Sequence, residues 1–368
     1  MLRTLMVGLQ ERDMQAVINT YNLNDFYYPT LFPLREQLTL SWKTLEGQTG
    51  LHIAGDLIAR GASIMPKTRE ALARIQGDIP KIAVKRTMNE DELNEYKIMV
   101  AMTNGNADLR RLVEIWAEDT NYCWQAVASR LEWIALQSIS RGRVNLSRLN
   151  NVSIVTEYDL DYQLGNKRVG YQSGSAAWSN KSAAHPITRD FKMLMSNARA
   201  NAIYPRFAFM NPSTFAKMAE TDEVVKMSAS FAANALDMAY TPSLQKVNSA
   251  LSSLAYLYGL QIVLIDQQIT IELEDGSRKS ENPFADDVVM FSESRQLGNT
   301  YWMRPADMDL QGTAAIKAMN GHTCVKKYSE EEPIREVTIG VANAIPAWAT
   351  SQRSYLMDVE HASWIDNG

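Results

Sequence analysis

The stretch from Asn89 to Arg143 constrains this chain more than any other. Leu109, Leu112, Val113, Trp116, Cys123, Val127, Leu131 and Ile134, with Ser138 on the same line, recur at three-and-four spacing, which puts them on one helical face. The opposite side carries Glu114, Glu118, Asn121, Gln125, Ser129 and Glu132, a set that suits water or a polar neighbour. The spacing predicts a long amphipathic helix. Asn89 and Glu92 have the form of a capping box, in which Asn holds an orphan N–H and Glu reaches back to the cap. Asn104-Gly105-Asn106 interrupts the pattern, because both residue types favour turns, so a lead-in helix precedes a main one from Ala107. Arg141-Gly142 closes it, with a cation in the last turn and Gly just past the end. A helix of about 30 residues would span ~45 Å, longer than an ordinary compact domain needs.

The rest of the composition narrows the classes. A chain of 368 residues, 46% hydrophobic and 21% charged, suits an ordered protein of two domains or one elaborated one. Its net charge of −5 argues against a protein whose task is gripping phosphates. Cys123 and Cys324 are the only cysteines, which predicts no disulfide framework and a reducing compartment. Met1 to Gln10 lacks the apolar core of a signal peptide, and no segment has the roughly 18 uninterrupted apolar residues of a membrane span, so a soluble protein is expected.

Along the chain, residues 13–21 read as a helix and residues 22–32, rich in Tyr, Phe and Pro, as an arm lying on something else. Leu38, Leu40 and Trp42 alternate with polar residues, and Leu51 and Ile53 answer across residues 46–50 as an antiparallel hairpin. Such a flap is marginal by itself, so it is expected to pack on another chain. Residues 81–86 form a strand into the long helix, and residues 152–162 a strand after it. From Ile187 helix and strand alternate: helices over 188–200, 212–220, 222–233 and 243–258, and strands over 206–210 and 261–266, a compact α/β subdomain. A surface hairpin at Asp275-Gly276 and strands over 288–291, 300–304, 323–328 and 335–341 follow; a last strand over 354–359 is expected to return to the sheet near the helix.

The search for chemistry fails repeatedly. His52, His185, His322 and His361 are scattered without ligand-spaced partners. Ser243-x-x-Lys246 has the spacing of a nucleophile pair, but it follows Thr241-Pro242 and reads as a helix start. Asp286-Asp287 reads as a solvated loop rather than a cation site. No catalytic residue, metal ligand or cofactor is expected. Glu330, Glu331 and Glu332 form a charge run at a hairpin tip flanked by Lys326, Lys327 and Arg335, where opposite charges on symmetry-related copies could meet.

The order of parts resembles the major capsid proteins of tailed bacteriophages, the lambda-type capsid protein E group with the Hong Kong 97-type fold. The local wording that carries the resemblance includes Ile79-Pro80, Asp91-Glu92-Leu93, Trp178-Ser179, and Pro186 with Asp190. It continues through residues 209–215 (FMNPSTF), 222–225 (DEVV) and 297–301 (LGNTY), then Pro333-Ile334-Arg335-Glu336, Pro346 and Tyr355-Leu356-Met357.

The resemblance implies an α+β chain: an N-terminal arm over 1–36, an E-loop hairpin over 37–80, a P-domain with its spine helix over 81–164, and a compact α/β A-domain over 165–322. P-domain return strands and a P-loop over 323–346 and a C-terminal strand and tail over 347–368 would complete it. It further implies self-assembly into hexamers and pentamers of an icosahedral head in the virion, built in the host cytoplasm around double-stranded DNA that is enclosed without being read. Partners would be a portal, a decoration or cement protein and a scaffolding protein, the last separate from this chain unless a leading segment has been removed; no membrane is implied. Contacts between copies would fall on Trp42, Lys43, Leu51, Lys67 and Arg69 of the flap and on Lys326, Lys327, Glu330, Glu331, Glu332 and Arg335 of the hairpin. Some relatives cross-link a flap Lys to an Asn, but no motif pairs Lys43 or Lys67 with Asn343, so none is expected. The alternatives are an encapsulin-like compartment shell and an α/β enzyme using residues 187–266.

Overall fold

The computed structural model describes residues 10–47, 72–102, 107–147, 150–151, 158–172, 176–229, 242–257, 259–273, 275–310 and 315–365. The chain divides into two compact units. Residues 1–42, 77–134 and 299–347 form the first; residues 43–76, 135–298 and 348–368 form the second.

The first unit is built on a six-stranded sheet. Its order is β1 (Leu34–Glu36), β13 (Gly298–Met303), β16 (Ile334–Trp348), β15 (Thr323–Glu331) and β14 (Ile316–Asn320), with β4 (Lys81–Met88) also on β16. β15 and β16 form one long hairpin whose register runs from Thr323 opposite Ala342 to Glu331 opposite Ile334. The turn expected over residues 329–334 therefore narrows to Glu332-Pro333, because pairing continues to the tip. Strand alternation turns Val325 and Lys327, with Gly340 and Thr338 opposite them, toward one face of the sheet.

The helix α4 (Ala107–Arg141, 35 residues) ends where its sequence signals place it, and Gly142 takes φ +69° just past its end. On the sheet side, the Cys123 thiol donates to the Thr338 carbonyl at 3.6 Å. A Cβ on Gly340 would lie 2.5 Å from the Cys123 carbonyl oxygen, so the close approach of helix to strand requires glycine there. The lead-in helix α3 (Glu90–Met102) opens with the Asn89 N–H donating to the Glu92 carboxylate at 2.8 Å, one half of the expected box. Asn104-Gly105-Asn106 lies outside the described residues.

The arm packs on its own unit. Met14 and Ile18 of α1 (Glu11–Ile18) enter a core with Tyr96, Trp124, Ile316, Ala318 and Val325. Each such side chain contributes roughly 1.5–3 kcal/mol by leaving water. Gln15 adds a polar grip: its side chain donates to the Met319 carbonyl at 2.7 Å and accepts the Met319 N–H at 3.1 Å. In the flap, β2 (Ser41–Gly47) pairs with β3 (Leu72–Asp78). The return strand expected at Leu51 and Ile53 lies outside the described residues.

The second unit carries a five-stranded sheet in the order β7 (Arg168–Gly170), β17 (Tyr355–Asp358), β12 (Val288–Ser292), β8 (Phe207–Met210) and β9 (Gln261–Leu264). Around it lie α5 (Lys192–Ala200), α6 (Pro212–Ala219), α7 (Asp222–Ser228) and a helix over Leu244–Ser252. Trp178, Phe191, Met195, Val289 and Phe291 centre its core. α6 starts because Asn211 accepts the Thr214 N–H at 2.8 Å and Pro212 needs no partner for a missing donor. β5 (Arg143–Leu146) with β6 (Tyr158–Asp161), and β10 (Ile269–Glu272) with β11 (Arg278–Glu281), complete the unit as two small ribbons.

Three expectations shift. The last strand, β17, lies between β7 and β12 of this sheet and not beside the spine-helix sheet, because its four residues are all buried by the α/β core. The segment expected to end at 322 leaves this unit after Gly298, since β13 and β14 pair into the first unit's sheet. Residues 135–164 cluster with the second unit and not with residues 107–134 of the helix.

Candidate assembly surfaces

The β15–β16 hairpin spends its cations at home. Lys326 pairs with the Asp307 carboxylate, which Lys81 also reaches at 3.0 Å, and the Lys326 hydrogen bond leads in holding that carboxyl below its usual range. Arg335 pairs with Glu330, and Lys85 stands 3.6 Å from the same carboxylate. Lys327 is fully buried; desolvation pushes its ammonium down to about 8, against the charges of Glu336 and Asp119. The expectation that Lys327 reaches toward a neighbour is therefore corrected. Alternation turns Lys327 inward, and Lys326, Glu330 and Arg335 have partners in their own chain. Glu331, Glu332 and Ile334 remain exposed at the tip.

Trp42 is corrected in the same way. Its ring is 3% exposed, stacks on Tyr301 with centroids 6.0 Å apart and planes 14° apart, and lies against Gly77, where a Cβ would come within 3.1 Å of the indole. It is a core side chain of its own unit. Lys43 is exposed. Leu51, Lys67 and Arg69 lie outside the described residues.

Sequence reading missed the clamp that fixes the arm. Glu132, expected on the polar side of the helix, is fully buried, and its two carboxylate oxygens accept the backbone N–H groups of Tyr27 at 2.9 Å and Tyr28 at 2.7 Å. These are orphan donors at the start of the short α2 (Tyr28–Leu31), which otherwise has no side-chain cap. Desolvation pushes the Glu132 carboxyl up to about 7, with the two amide donors pulling it the other way. Tyr28 is itself fully buried, and its hydroxyl lies 3.2 Å from Nε2 of His322, whose imidazole burial pushes down to about 4. The pairing partner sits 104 residues away, so no local pattern signals it.

The remaining candidates resolve into structure. Ser243 caps its helix, its hydroxyl accepting the Lys246 N–H at 3.5 Å. Asp286 accepts from the Asn211 side chain, and Asp287 pairs with Lys217 at 2.6 Å. His361 Nδ1 lies 2.9 Å from the Asp358 carboxylate, and His52 lies outside the described residues. Cys123 and Cys324 are free and buried. A cleft of about 730 Å³ in the second unit is lined by Asn211, Lys279, Glu281, Asp286, Asp358 and His361, whose polar groups satisfy one another. Among the described residues no group of three or more His, Cys, Asp or Glu could hold a metal, and no helix is long and apolar enough to cross a membrane.

A spine helix on a hairpin-bearing sheet, a flap, and a separate α/β unit together make the Hong Kong 97-type capsid fold. A prophage protein of E. coli CFT073 described as its capsid protein has that arrangement at a TM-score of 0.59 and 14% identity, covering 96% of this chain and 100% of its own. A phage-related protein of Bordetella bronchiseptica RB50 is similar at a TM-score of 0.49 and 12% identity, over 96% of this chain and 98% of its own. The mature capsid subunit of bacteriophage PhiM1 is similar at a TM-score of 0.44 and 11% identity, over 92% and 88%. No curated protein matches. Residues 12–353 match the family of the phage major capsid protein E, and the chain belongs to that family. It is a structural subunit of a phage capsid, present in the virion in many copies.

Proposed function

We propose that this chain forms the hexamers and pentamers of an icosahedral head, assembled in the host cytoplasm with scaffolding, portal and decoration proteins. The head encloses double-stranded DNA without sequence-specific contact, which a net charge of −5 suits. The work of the chain is geometric, without catalysis. The family match across 12–353 carries this reading, because it spans the arm, the described strands of the flap, the spine helix and most of the α/β unit together. Electron microscopy of the purified chain tests it: closed shells with five- and six-fold capsomers are expected. A solitary monomer under every assembly condition would overturn it.

A further inference from the structure

We propose that Lys327 and Asp119 are a self-modifying pair: within one chain they condense to an isopeptide bond that ties α4 to β15, with Glu336 carrying the proton. The bond lies inside a single chain and outside the flap, so it stands independently of the shell reading.

Strand register assembles the parts. Arg86 on β4 and Lys327 on β15 both stand opposite Thr338 on β16, so the three share one row and one face of the sheet. Glu336, two residues before Thr338, lies on that face too. It is diagonal to Lys327, a separation of about 7–8 Å between backbone positions that long side chains can span. α4 covers the row. The Cys123 thiol meets the Thr338 carbonyl at 3.6 Å, and Asp119, one helical turn earlier, meets Arg86 at 3.1 Å. Helix and strands thereby close over the group: Lys327 is fully buried, Glu336 is 2% exposed and Asp119 8%.

That enclosure is what the chemistry needs. Amide formation requires a neutral amine and a protonated carboxyl, the two forms that burial favours. Desolvation brings Lys327 down to about 8 and holds the Asp119 carboxyl above its usual range; of the charges acting on that carboxyl, Lys327 outweighs even Arg86. The Lys327 Nζ lone pair forms the new bond to Cγ of Asp119. Glu336 takes a proton from the nitrogen and passes it to the departing hydroxyl, the C–O bond breaks, and one water leaves. The balance closes without oxidant or cofactor. The product replaces a buried ammonium and a buried carboxylate by one neutral amide, which removes their desolvation cost, and the exclusion of water protects the bond from hydrolysis.

The same side chains could instead remain an unreacted ion network, and mass spectrometry separates the two. The full chain is folded, held under native conditions, then unfolded and digested with trypsin. The expected product is a branched species joining residues 112–130 to residues 327–335, because trypsin does not cleave after an acylated Lys327. Its mass is one water below that of the two peptides together. Folded wild-type chain that yields only the separate peptides overturns the proposal, and this result decides the bond even where a variant fails to fold. Lys327→Met, which keeps an apolar stem of similar length, abolishes the branch; a branch between the same segments that survives the substitution overturns the assignment. Glu336→Gln slows branch formation by about 100-fold or more, and formation at the wild-type rate overturns the role given to Glu336.

Discussion

Replacing Glu132 by Gln isolates a titration that the wild-type chain conceals. Burial raises the Glu132 carboxyl from 4.5 to about 7, so the folded state holds its proton more tightly than the unfolded state does. The group's stabilisation is complete below about pH 4.5 and is lost as pH rises through 7; at about 1.4 kcal/mol per pKa unit the loss is about 3 kcal/mol. His322 runs in the opposite sense. Its pKa falls from 6.5 to about 4, so its stabilisation is complete above 6.5 and is lost as pH falls through 4. Both groups face Tyr28, one through the backbone and one through the hydroxyl, and between about pH 4.5 and 6.5 their slopes nearly cancel. In Glu132→Gln only the His322 slope survives. Gln also leaves one Tyr27 or Tyr28 N–H without an acceptor, a constant penalty of about 1–3 kcal/mol. The assay is urea unfolding followed by tryptophan fluorescence at a series of pH values, reading variant minus wild type. The variant should be the less stable at about pH 4.5 and recover about 3 kcal/mol relative to wild type by about pH 7.5. A difference that stays flat with pH would refute the account of the clamp.

Two further substitutions address packing. Trp42→Ala removes the ring stacked on Tyr301 and should lower the stability of the isolated subunit by about 3–5 kcal/mol, read as an earlier melt; an unchanged melt would place Trp42 back on the surface. Gly340→Ala forces a methyl against the Cys123 carbonyl and should cost about 1–3 kcal/mol, with lost far-UV helical signal near the melt; a neutral outcome would show that α4 can lift from the strand freely.

Elements with their own periodicity were readable from residues alone. The end of α4, the start of α6 at Pro212, and the strands of the β15–β16 hairpin all announce themselves locally. What stayed hidden depends on partners far along the chain. β1 is three residues long and exists only because β13 accepts it in parallel, and β3 carries Gly77 in a mixed run without alternation. Tyr355 to Asp358 is apolar enough for either sheet, so its sequence could not choose between them. Glu132 looked hydrated because a helical face lacking apolar residues reads as wet, whereas an unsatisfied amide from elsewhere had claimed it. Lys327 carried a usable signal: it shares strand parity with Val325, and that parity, given more weight than its charge, would have put it inside.

The grip of Gln15 on Met319 has an outcome for how copies can meet. Among the described strands β14 has β15 on one flank only, and at Met319 the backbone groups on the other flank are taken by a side-chain amide that imitates a next strand while ending the series. A border sealed this way refuses recruits there, so newly made subunits can crowd together in a cell without zipping into fibrils along it.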